Sequence, residues 1–219
     1  LVQLTVAADP EEVAVRAAAA MAAAARTGGG ISLAGSNTPR PAYELVAAMP
    51  EIDWSHVHLW FGDERCVPPD DPESNYRMAH ESLISRIDIP AGNVHRMRGE
   101  DEPDAAASAY SREIAGLSLD LAVLGLGPDG HTASLFPESP ALEERDRAAV
   151  AVTASKPPPR RITLTLPVFG RAASILILAP GEAKAEAIAA VLRGPDPHYP
   201  ASLLPADRTT ILTDAAGSP

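Results

Sequence analysis

The sequence predicts an α/β fold, a mostly parallel sheet with helices on both faces. Three observations carry that expectation. Apolar runs of strand length alternate along the chain with Ala-rich or amphipathic stretches of helix length. The run Leu119–Leu126 is apolar except at Asp120 and Gly125, the pattern of a strand buried on both faces. Strand-like runs end in clusters of Gly, Ser, Asn and Asp, where a chain turns. The 219 residues suffice for one substantial core. No repeat, linker or shift in composition divides them, so one domain over 1–219 is expected.

Each element has a local reason. Leu1–Val6 alternates weakly, as an edge strand does. Asp9-Pro10-Glu11-Glu12 starts a helix with a cap, a Pro in the first turn and acids at the positive end of the dipole. Val13–Arg26 continues that helix and Gly28–Gly30 ends it. Ile31–Ala34 is a short strand, and Gly35-Ser36-Asn37-Thr38-Pro39-Arg40 leads into a helix reaching about Met49. Val57–Phe61 is the third strand, with Trp60 and Phe61 in the core. It runs into Asp63-Glu64-Arg65, ordinarily a solvated turn. Pro68–Asn75 is a Pro-rich acidic loop long enough to cover a site, and Ser74 or Asn75 caps a helix to about Ile87. Val94–Met97 reads as a short strand and Pro103–Leu117 as a helix. Beyond the central strand, Ala149–Thr153, Ile162–Leu166 (half-buried), Ser174–Ala179 and Thr209–Thr213 read as strands. A stiff basic connection, Lys156–Arg161, joins the first two of these. Gly181–Arg193 reads as a helix with Lys184 in its first turn, where a cation opposes the dipole.

Charge and composition exclude several functions. A net charge of −11 argues against nucleic-acid or anionic-membrane partners, which need a basic surface. It leaves room for an anionic small molecule, which responds to a local pocket. Cys66 is the only cysteine, so no intrachain disulfide forms. No apolar run reaches membrane-spanning length, and no leader pattern opens the sequence. A soluble, cytoplasmic protein is the resulting expectation. His56, His58, His80, His95 and His198 lack metal-ligand spacing with Cys or one another, so no metal is expected.

The chemistry concentrates after the central strand. Gly125, Gly127, Pro128 and Gly130 shape a sharp turn that carries Asp129 and His131. In open α/β sheets ligands bind beyond the carboxyl ends of strands, and His is suited to proton transfer near neutral pH. Other readings are a loop histidine without a role, an Asp129 cap on a helix starting near His131, and a dinucleotide-binding G-x-G-x-x-G. Pro128 and Pro137 weigh against the last. Four polar clusters fall at expected strand ends: Gly35–Thr38, Asp63–Arg65, Asp129 with His131, and Lys184. On one sheet edge they compose a site for a phosphorylated polar metabolite with proton-transfer chemistry.

At these residues the chain resembles the 6-phosphogluconolactonases. The resemblance spans nearly the whole sequence. It rests on Gly35–Arg40, Asp63-Glu64-Arg65-Cys66-Val67-Pro68 with Ser74-Asn75, Gly125–Pro137, Lys156-Pro157-Pro158-Pro159, Arg161–Thr165 and Gly181-Glu182-Ala183-Lys184. It implies a Rossmann-like sheet and hydrolysis of 6-phosphoglucono-1,5-lactone in the oxidative pentose phosphate pathway, with no cofactor. It also implies His131 as general base, with Asp129 orienting it or positioning the substrate hydroxyls. Arg65 would stabilise the oxyanion. Arg161, Lys184, Gly35, Ser36, Asn37 and Thr38 would hold the phosphate, and Asp63 would contact substrate. The only partner implied is the phosphorylated sugar lactone, acted on by a monomer or small homo-oligomer. Where the family commonly reads Gly-Gly-Ser-Thr-Pro, this chain has Gly35-Ser36-Asn37-Thr38-Pro39. The related glucosamine-6-phosphate deaminases carry a Glu five residues after the His, where this chain has Phe136. A sugar-phosphate sensor on the same scaffold is the non-enzymatic alternative.

Overall fold

Six apolar runs pair in parallel in the computed structural model, which describes residues 1–219. They are β1 (Gln3–Ala7), β2 (Gly30–Leu33), β3 (His58–Phe61), β5 (Leu121–Gly125), β8 (Ser174–Leu178) and β9 (Thr209–Asp214), in the order β1-β9-β8-β5-β2-β3. A second sheet is antiparallel: β4 (Asp63–Arg65), β7 (Arg160–Leu164) and β6 (Ala149–Thr153), in the order β4-β7-β6. One continuous apolar core joins the two sheets, from Leu121, Val123 and Ile177 to Val150, Ile162 and Leu164.

Six α-helices complete the fold: α1 (Pro10–Arg26), α2 (Arg40–Ala47), α3 (Asn75–Ser82), α4 (Pro103–Glu113), α5 (Leu166–Arg171) and α6 (Ala185–Arg193). The start of α1 follows the expected chemistry. Asp9 caps it by accepting from the Glu12 N–H at 2.8 Å, an interaction worth about 1 kcal/mol. Alanines 14, 17, 18, 22 and 25 bury one face of α1 against the sheet. Tyr110 of α4 donates to the Phe61 carbonyl and accepts from its N–H, closing the end of β3.

The topology locates the site. From β2 the chain passes to β3 on one side, and β5 pairs with β8 on the other. Neighbouring β2 and β5 thus send their exit loops in opposite directions, leaving a crevice at the carboxyl edge.

Several expectations are corrected. Asp63-Glu64-Arg65 is not a solvated turn: it is β4, and Glu64 is only 2% exposed. Val94–Met97 is extended but makes one isolated bridge, Leu59 to Val94, because the next residues turn away. No helix starts near His131, so neither a cap at Asp129 nor a dinucleotide fingerprint is present. Strand β7 is buried along Arg161–Leu164 rather than half-buried, being covered by β4, β6 and α4. The helices at Asn75 and Pro103 end earlier, at Ser82 and Glu113, and α5 has no counterpart in the sequence reading.

Candidate active site

The crevice is a cavity of about 180 Å³. Gly35, Ser36 and Thr38 line it from the loop after β2, and Asp63 and Arg65 from β4. Gly125, Gly127 and His131 come from the end of β5, Arg161 from β7, and Lys184 from beyond β8. The four polar clusters of the sequence therefore meet. Two named residues do not line the cavity. They are Asn37 and Asp129, the latter bonded to His131 Nδ1.

His131 is held from one side only. Its Nδ1 meets the Asp129 carboxylate, and its ring packs 4.6 Å from that of Phe136. A carboxylate only accepts, so Nδ1 carries the proton and Nε2 presents a lone pair without a protein partner. Burial pulls the imidazole below its usual pKa of 6.5, against the opposing pull of Asp129. Burial alone would raise the Asp129 carboxyl, but the hydrogen bond and charge of His131 outweigh it and hold it low. Gly127 makes this pair possible, since a Cβ there would strike both the His131 ring and the Asp129 carboxylate.

The cations converge because of strand register. Arg65 on β4 lies directly opposite Arg161 on β7. Like charges across an antiparallel pair repel, so this placement calls for an anion between them. Neither guanidinium is in an ion pair. Arg65 Nη1 donates to the Glu73 carbonyl at 2.7 Å, and Arg161 Nε donates to the Pro158 carbonyl at 3.0 Å. The Arg161 side chain also lies over the Phe136 ring, 5.6 Å from its centre. Lys184 is the residue capping α6, preceded by a 3₁₀ turn rather than sitting within the helix. Burial depresses its pKa, opposed by the Asp129 carboxylate.

The far wall is tightly bonded. Asp63 is 7% exposed. Its carboxylate accepts from Ser134 Oγ at 2.6 Å and from Asn75 Nδ2 at 3.0 Å. Glu64 accepts from the backbone N–H groups of Arg65, Asn75 and Tyr76, each at 2.7 Å. Burial raises its pKa to about 7, although those donors pull the other way. Asn75 lines the cavity, although the sequence marks it only as a possible helix cap and as part of the resemblance, with no site role; Ser74 is the cap in fact. Of the Pro68–Asn75 loop, Asn75 alone reaches the cavity. The cap position of α2 is Pro39, which supplies no side-chain acceptor.

A family model described as glucosamine-6-phosphate isomerases/6-phosphogluconolactonase matches residues 6–212 of this chain. The chain belongs to the glucosamine-6-phosphate isomerase/6-phosphogluconolactonase family. Among family members, the 6-phosphogluconolactonase of Mycobacterium tuberculosis is 46% identical over 167 residues, covering 70% of this chain and 68% of the relative. The Streptomyces coelicolor 6-phosphogluconolactonase is 39% identical over 217 residues, covering 88% and 83%. The solved structure of a 6-phosphogluconolactonase from Thermotoga maritima superposes with a TM-score of 0.84 at 31% identity, covering 98% of this chain and 99% of that one. A monomeric glucosamine-6-phosphate deaminase shares the fold, with a TM-score of 0.87 at 21% identity.

Proposed function

We propose that this chain hydrolyses 6-phospho-D-glucono-1,5-lactone to 6-phospho-D-gluconate, a step of the oxidative pentose phosphate pathway, as a cytoplasmic enzyme. The observation that carries this reading is one cavity holding a singly anchored imidazole and three cations, Arg65, Arg161 and Lys184, outside any ion pair. Phe136 supports it against the deaminase alternative. The position five residues after His131 packs an aromatic ring on the imidazole and offers no group that moves a proton.

The roles follow from chemistry. His131 Nε2 takes a proton from water as its oxygen attacks C1 of the lactone. Asp129 keeps the proton on Nδ1 and stabilises the imidazolium that forms. Arg65 faces the oxygen on which negative charge grows. The C1–O5 bond then breaks and O5 takes the proton from His131. Arg161, Lys184 and the Gly35–Thr38 loop hold the 6-phosphate, where a guanidinium offers paired donors and an ammonium a point charge. Gripping the phosphate away from C1 fixes the ring against His131. The site lies within one chain, and the domain proposed is 1–219 acting on a small-molecule lactone.

The test is hydrolysis of the lactone with and without its 6-phosphate. Turnover is expected with the phosphate and a large loss without it. Release of ammonia from glucosamine 6-phosphate, with no lactone turnover, would overturn the reading in favour of a deaminase.

A further inference from the structure

We infer that Asn75 is a specificity-determining residue whose side-chain oxygen accepts a hydrogen bond from a hydroxyl of the substrate's sugar ring. This deepens the lactonase reading and rests on it. The side chain's orientation is fixed by its neighbours. Nδ2 donates to the Asp63 carbonyl at 2.9 Å and to the Asp63 carboxylate at 3.0 Å. Both of those groups only accept, so the nitrogen must face them and the oxygen must be the other end. The Asn75 backbone is pinned as well, its N–H donating to the buried Glu64 carboxylate.

The oxygen left over, Oδ1, is buried and has no partner in the protein. Asn75 is 1% exposed and lines the cavity beside Gly35 and Asp63. Gly35 leaves the amide its room, since a Cβ there would overlap it. An unpartnered buried acceptor is destabilising unless a donor arrives. Beside Asp63, whose carboxylate already accepts from Ser134 and Asn75, the rest of the cavity offers chiefly cations and hydroxyls: Arg65, Arg161, Lys184, Ser36 and Thr38. Those groups suit phosphate and carbonyl oxygens. A sugar ring also carries hydroxyl donors, and these need acceptors. Asn75 Oδ1 is such an acceptor, preset by bonds it already makes.

The experiment compares the parent lactone with analogues each lacking one ring hydroxyl, on the full chain and on Asn75→Ala and Asn75→Asp. Wild type is expected to lose about 10-fold or more in kcat/KM on one analogue. Asn75→Ala should handle parent and that analogue alike. Asn75→Asp, which keeps an acceptor at the position, should turn over more slowly beside Asp63 yet retain the wild-type ratio. A mere brace for Asp63 would lower activity in both variants and leave the ratio unchanged, and that result overturns the assignment. So does a wild type indifferent to every missing hydroxyl. If Asn75→Ala fails to fold, Gly35→Ala displaces the same amide and should flatten the ratio, and an unchanged ratio there overturns the assignment too. Wild type inert on the parent lactone overturns the lactonase reading and this inference together. An active enzyme with an unaltered ratio removes this inference alone.

Discussion

Two corners of the cavity are built on opposite principles. At the end of β3 the chain turns into β4, and its acidic groups are tied by the protein: Asp63 to Asn75 and Ser134, Glu64 to three backbone donors and Ser74. At the end of β5 the turn leaves His131 with one side-chain hydrogen bond and an unpartnered Nε2. The side chain of His131 is 21% exposed, so water reaches it. The first corner spends its hydrogen bonds on geometry, and the second leaves one ring nitrogen without a protein partner. Under the proposed mechanism their difference is that between a group that must not move and a group that must exchange a proton.

Substitution in each corner should therefore fail differently. The largest effect is expected at His131→Ala, with kcat lower by about 10²–10⁴-fold and product binding kept. Turnover assays beside calorimetric titration with 6-phosphogluconate check both halves. In wild type, kcat/KM should fall as pH drops below 6.5, because burial lowers the imidazole and only the neutral ring accepts a proton.

In the bonded corner the signature should be stability. Burial lets Glu64 keep its proton to about pH 7 when folded, whereas an unfolded glutamate loses it near 4.5. Between those values the unfolded chain binds fewer protons, so stability falls as pH rises and levels off above about 7. The unfolding free energy from urea titrations across that window should decline by an amount on the order of a few kcal/mol in wild type and stay flatter in Glu64→Gln.

Lys184→Ala should raise KM about 10-fold or more with a smaller change in kcat, as expected when a charge-assisted contact to phosphate is lost. Steady-state kinetics with the phosphorylated lactone decide it. The smallest effect is expected at Ser36, a non-glycine residue at φ +65° in the cavity-lining loop. Ser36→Gly relieves that conformation and should raise stability by up to about 1 kcal/mol while weakening substrate binding. A melting temperature that does not rise would show the serine to be unstrained.

Much of the parallel sheet was legible because buried strands are written as unbroken apolar runs, as at Leu121–Gly125 and Ser174–Leu178. The alignment of Gly35, Asp63, His131 and Lys184 on one edge then followed from parallel pairing alone. What stayed hidden depends on partners distant in sequence. Asp63-Glu64-Arg65 has the composition of a surface turn, and only pairing with Thr163, Ile162 and Arg161 buries it. Asn75 showed a capping preference, while its bonds to Asp63 exist only once α3 has docked. Asn37 enters the expected phosphate loop through the resemblance, yet Ser36 and Thr38 on either side of it line the cavity and it does not. Helix α5 is short and begins with Leu166-Pro167, too little periodicity to read.

The Phe136 ring has a consequence for how such an enzyme can be altered. One benzene face meets the imidazole of His131, and the guanidinium of Arg161 rests over the same ring. In the proposed mechanism the proton shuttle and the anchor for the charged tail thus share a single mechanical support. A smaller side chain there is expected to loosen both at once, so that turnover and phosphate affinity fall together.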